Sequence, residues 1–120
     1  MARRKTTEER ALDVLTCARD LIARPHGWTK GVEKLTRTKN EPHYNEAKYA
    51  YCVMGAIRKC GRNTLDALAI AVTQECLPGQ YQFNIPRFND AKGTRQRSAV
   101  ALLNRAIKKM ERRVAQQQAA

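Results

Sequence analysis

Apolar and polar positions alternate along this chain with helical period in four places. The first set is Ala11, Val14, Leu15, Ala18, Leu21 and Ile22, spaced three and four apart as on one face of a helix. Thr6 with Glu9 three positions on forms a capping box at its start, and Glu8 and Glu9 suit the positive end of the helix dipole. Arg24-Pro25 ends it, because a residue before proline avoids helical geometry. Residues 26–45 carry two glycines, a proline and many polar side chains, which predicts a loop with a short turn or small hairpin at Val32–Thr36.

Ala47, Ala50, Tyr51, Met54 and Ile57 predict a second helix from about Asn45 to Cys60, with Gly55 in its middle and Gly61 as its stop. A third is expected from Asn63 or Thr64 to about Cys76, with Leu65, Leu68, Ala69 and Val72 facing inward. It holds only Asp66 and Glu75 as charges, which marks it as the central helix. Leu77-Pro78-Gly79 terminates it. Residues 80–94 read as a second irregular segment, pinned by Tyr81, Phe83, Ile85 and Phe88. The last helix starts near Thr94 and frays in the polar end at 115–120. The pattern as a whole predicts an all-α fold. It is one compact domain over residues 1–120, with four main helices, two long loops and a basic tail at 1–6.

Charge changes this picture most in the last helix. The chain has 23 Lys and Arg against 11 Asp and Glu, a net charge of +12. Residues 87–120 alone hold nine basic and two acidic residues. At about 100° per residue, Val100, Leu103, Ile107, Met110 and Val114 share one stripe of the last helix. Arg105, Lys108, Lys109, Arg112 and Arg113 gather opposite, interrupted only by Glu111. Such a face is expected to meet nucleic acid or another polyanion, with Arg3, Arg4 and Lys5 of the tail assisting. Leu102 lies near the basic side, so a second apolar contact or a dimer is open.

The remaining chemistry is sparse. No apolar run approaches the ~20 residues that cross a bilayer, and no signal peptide is visible, so a cytoplasmic protein without membrane contact is expected. Cys17, Cys52, Cys60 and Cys76 sit in apolar helical patterns without a CxxC pair, and are expected as buried free thiols. His26 and His43, both in the first loop, are weighed as a metal or acid–base pair, but the expectation is no metal site, no cofactor and no catalytic residues. Trp28 serves either as a core plug or as a stacking wall. Asn89 and Asp90 either cap a turn or belong to a ligand loop of Arg87, Asn89, Asp90 and Lys92, with Thr94 and Arg95 at a helix start suited to an anion.

Three short elements, Gly27-Trp28-Thr29, Cys52-Val53-Met54-Gly55-Ala56-Ile57 and Phe88-Asn89-Asp90, carry a resemblance. The chain resembles a family of small helical domains of unknown function from bacterial and phage proteins, over roughly residues 10–108. It departs in having Phe88 where the family pattern has tryptophan, and in its unusually basic last helix. The resemblance implies no activity; it implies an all-helical domain in which the three elements converge. The functional expectation is therefore a non-enzymatic basic protein contacting nucleic-acid phosphates. The alternatives are a phage-type inhibitor docking on a host protein, and a pocket for a small anionic nucleotide built from Trp28, Arg87, Asn89 and Arg95.

Overall fold

The computed structural model describes residues 4–62 and 66–119. In chain order these form α1 (Thr7–Ala23), β1 (Lys34–Thr36), β2 (Tyr49–Tyr51), α2 (Val53–Gly61), α3 (Asp66–Glu75), a 3-10 turn (Gly79–Tyr81), α4 (Ile85–Asp90) and α5 (Gln96–Ala119). The fold is mostly α, with one two-stranded sheet. Arg3, Leu65 and the expected start of the third helix at Asn63 or Thr64 lie outside the described residues.

The frame is an antiparallel pair of the first and last helices. The capping box of α1 is formed in full: Thr6 Oγ1 accepts from Glu9 N at 3.2 Å and Thr6 N donates to Glu9 Oε1 at 2.9 Å. Its buried face, Ala11, Val14, Leu15, Ala18 and Ile22, meets Ala99, Leu102, Leu103, Ala106, Ile107 and Met110 of α5. Polar contacts fix the register. Thr6 reaches Gln117, Arg19 reaches Asn104 Oδ1, and Gln96 Nε2 donates to the carbonyls of both Ile22 and Arg24 at 2.7 Å. Gln96 thereby satisfies carbonyls that a helix end leaves without partners. The end expected to fray stays helical to Ala119, with Gln117 engaged by Thr6.

The centre of the fold is α1, packed against α2, α3 and α5, and not α3 as its low charge led us to expect. Among its described residues α3 buries only Ala69, Val72 and Thr73. Leu102 is fully buried, so the open question it posed resolves into a core contact. The buried stripe of α5 is turned toward Leu102 and Ala106, which leaves Val100 and Val114 half-buried.

The second helix starts eight residues later than expected. Residues 49–51 pair as a strand with β1, in the register Lys34↔Tyr51, Leu35↔Ala50 and Thr36↔Tyr49. On its other side Tyr51 N donates to Gly27 O and Thr29 N donates to Tyr51 O. The Tyr-Ala-Tyr run fits a pleated surface, and its apolar spacing satisfies strand and helix alike. Cys52 then caps α2, its Sγ accepting from Gly55 N at 3.2 Å. The helix stops on Arg62, in left-handed conformation with φ 50°, and not on Gly61.

Gly55 has a single reason to be glycine. A Cβ there would lie 2.0 Å from the carbonyl oxygen of Glu33, because the backbone just before β1 lies directly on the first turn of α2.

Candidate functional site

The three short elements do converge, and Asn89 is where they meet. This asparagine is fully buried on α4. Its Oδ1 accepts from Trp28 Nε1 at 2.8 Å and from Val53 N at 3.0 Å. Its Nδ2 donates to Thr29 O and to Asp90 Oδ1, each at 3.0 Å. Every donor and acceptor position of the amide is thus used. Asp90 Oδ1 also accepts from Gly31 N at 2.9 Å. Lys30 Nζ donates to Ala91 O at 2.6 Å and stands 5.7 Å from the Trp28 ring centre.

This arrangement needs α4, a helix inside the segment 80–94 whose pattern predicts irregular structure. Asn84 caps it by accepting from Arg87 N at 3.0 Å, and Pro86 sits in its first turn. Asn-x-Pro is a helix-start signature that was available in the sequence. Phe88, on the buried side of α4, meets Tyr81 edge-to-face at 5.5 Å. Thr94 does not begin the last helix; its hydroxyl donates to Phe88 O at 2.7 Å and closes the end of α4. The start of α5 is held instead by Ser98 Oγ, which accepts from Arg95 N at 3.1 Å.

Beside Asn89 lies a cleft of about 120 Å³, walled by Val32, Glu33, Cys52, Met54 and Asp90. Two carboxylates rim it, and Arg58 binds one of them, Glu33. Burial pushes the Cys52 thiol above its usual range, against the N–H of Gly55 that pulls it back. A protonated thiol beside two carboxylates suits a cation or a neutral group better than a phosphate. Arg87, Lys92 and Arg95 are exposed, but Asn89 turns its whole amide inward, so these ligand-loop candidates do not share a polar centre.

The basic face of α5 divides into two sets. Glu75 of α3 binds Lys109 at 2.9 Å and Arg113 at 3.0 Å, and Arg105 donates to Cys76 O at 3.5 Å. The hydrogen bond from Lys109, with the charge of Arg113, holds the Glu75 carboxyl below its ordinary value despite partial burial. Lys108 and Arg112 are exposed and have no acidic partner among the described residues. Arg97, which the sequence reading did not single out, is also exposed and without one. The tail comes to the far end of the same helix through the Thr6–Gln117 contact; Arg4 is exposed there and Lys5 pairs with Asp13 at 2.6 Å.

The cysteine expectation needs correction. Cys17 and Cys60 are joined by a disulfide that ties α1 to α2 across 43 positions, and Cys17 is exposed. Cys52 is a buried free thiol and Cys76 a half-buried one. Spacing along the chain does not encode this pairing; it follows from the helices bringing the two Cα atoms to 5.9 Å. No described helix is long and apolar enough to cross a membrane.

A family model described as a family of unknown function, DUF6197, matches residues 6–109, and the chain belongs to that family. No curated protein and no solved structure matches it.

Proposed function

We propose that this protein is a non-enzymatic binder of nucleic-acid phosphates, acting through the outward face of α5. The observation that carries the reading is the row Arg97, Arg105, Lys108 and Arg112. At about 100° per residue these four fall within an arc of about 80°. At ~1.5 Å rise they extend over roughly 22 Å. Three of them have no acidic partner among the described residues, and Arg105 touches only a backbone carbonyl. An ordinary solvated helix face mixes both signs at i and i+4; here like charges accumulate until a polyanion neutralises them. Lys109 and Arg113, already held by Glu75, stand at the edge of this surface.

A pocket for a small anionic nucleotide has less support. Trp28 N–H and both ends of the Asn89 amide are engaged within the fold, and the adjacent cleft is rimmed by carboxylates.

Binding to a mixed-sequence duplex, measured against salt, tests the proposal. Four phosphate contacts give a log–log slope of roughly −3 to −4, and Lys108→Glu with Arg112→Glu should lower its magnitude by about 2. Unchanged retention in that double variant sinks the proposal. A defined protein retained from host lysate after nuclease treatment, and lost in the same variant, would favour the phage-type inhibitor reading instead.

A further inference from the structure

Apart from the basic face, one cluster of side chains is brought together by backbone geometry that is uncommon. His26 follows Pro25 and His43 follows Pro42, and both histidines adopt left-handed backbone, with φ 58° and 68°. Residues with a Cβ avoid this region, and where they hold it the surroundings impose it. Here the surroundings are visible. His43 O accepts from Glu46 N at 3.1 Å and from Ala47 N at 3.0 Å, a single helical turn that sets His43 and Glu46 on one side. Arg37 Nη1 donates to His26 O at 2.9 Å and to Ala47 O at 2.6 Å, bracing the two loop pieces against each other.

The result is a convergence of three ligand atoms. His26 Nε2 lies 3.2 Å from Glu46 Oε2, and His43 Nδ1 lies 3.7 Å from the same oxygen. One ligand atom from each of the three residues can be chosen so that all lie within 4.8 Å of one another. Zinc bonds of about 2.0–2.1 Å to nitrogen and oxygen give a tetrahedron whose edges are about 3.3 Å. The two histidine–carboxylate separations, 3.2 and 3.7 Å, are close to that edge.

We infer that His26, His43 and Glu46 form a binding site for a zinc ion, with its fourth position open to water or to a partner's side chain. Imidazole and carboxylate are borderline and hard ligands that suit zinc without thiolate. The site lies in the first loop and draws on none of the residues of the α5 surface, so it stands or falls separately from the phosphate-binding reading. The two rings stack with centroids 3.4 Å apart and planes 12° apart. Parallel planes do not both aim a lone pair at one ion, so binding turns one imidazole out of the stack. All three side chains are partly exposed, which leaves room for that rotation.

The test is titration of the intact, disulfide-bonded protein with zinc chloride, followed by calorimetry and by emission of Trp28, two residues from His26. The expected result is one saturable site. His26→Asn, His43→Asn and Glu46→Gln should each weaken it at least tenfold, and the double histidine variant should abolish it. Asparagine tolerates left-handed backbone, so these variants keep the loop while removing the imidazole; Glu46→Gln keeps shape and removes charge at an exposed position. Absence of saturable binding in the wild type overturns the inference. So does undiminished binding in the double variant.

Discussion

Trp28 and Asn89, 61 positions apart, are joined by a hydrogen bond of 2.8 Å from the indole N–H to the amide oxygen. That oxygen also receives the N–H of Val53 at the start of α2, so one side chain fixes the first loop, α2 and α4 to each other. Asn89→Ala leaves the Val53 N–H, the Thr29 carbonyl and the indole N–H without their partner. At ~1–3 kcal/mol for each buried unsatisfied group, the loss should exceed about 3 kcal/mol in urea unfolding. Trp28→Phe removes one donor and keeps most of the ring's packing, so it should cost only about 1–2 kcal/mol.

Gly55 and Gly93 make a second contrast. Gly55→Ala places a Cβ 2.0 Å from a backbone oxygen, which no rotamer relieves. It should push the Glu33 backbone off the first turn of α2 and cost about 3 kcal/mol or more. A Cβ at Gly93 meets nothing within 4 Å, and Gly93→Ala should fall within about 0.5 kcal/mol of wild type. Thermal melts of the two variants side by side decide this.

The Cys17–Cys60 bond closes a 43-residue separation. In the chain-entropy account such a loop is worth about 4 kcal/mol. Cys17→Ser with Cys60→Ser, or a reductant added to the wild type, should lower Tm by roughly 10 °C or more. Equal melting with and without reductant would show that helix packing alone carries the α1–α2 contact.

Glu75 links stability to the proposed interface. Its folded carboxyl is held below the ordinary 4.5, so the stability it adds is present above that value and disappears as pH falls through the folded one. Its side chain is 40% exposed, and solvent screening limits the effect to about 1 kcal/mol or less. Glu75→Gln should therefore destabilise slightly at neutral pH and not at all in strong acid. The same change frees Lys109 and Arg113, and should raise the salt concentration needed to elute the protein from duplex DNA. Elution unchanged from wild type would mean that those two cations do not reach the ligand.

The sequence exposed local structure where the cause was local. Thr6 and Glu9 define the start of α1 and Pro25 its end, whereas the meeting of the three short elements was implied only by the family resemblance. It misled where two structures share one spacing: Ala47, Ala50, Tyr51 and Met54 satisfy a helix, yet Tyr49–Tyr51 pairs with β1. The cap that begins α2 is a thiol, a group outside the usual capping set. The neutralisation of Lys109 and Arg113 on the basic face of α5 was hidden because Glu75, their acidic partner, comes from another helix. The disulfide, the stacked histidines and the saturation of Asn89 are all products of long-range closure, which pattern along a chain does not record.

The pairing of α1 with α5 also sets an order on biosynthesis. Residues in contact at Thr6 and Gln117 are 111 positions apart. Until α5 leaves the ribosome, Ala11, Val14, Leu15 and Ile22 have no lid, although α2 and α3 already flank them. The nascent chain therefore waits, with its first helix apolar and uncovered, for its last. Contacts of such separation slow folding, and a chain stalled before Met110 is a natural client for chaperones.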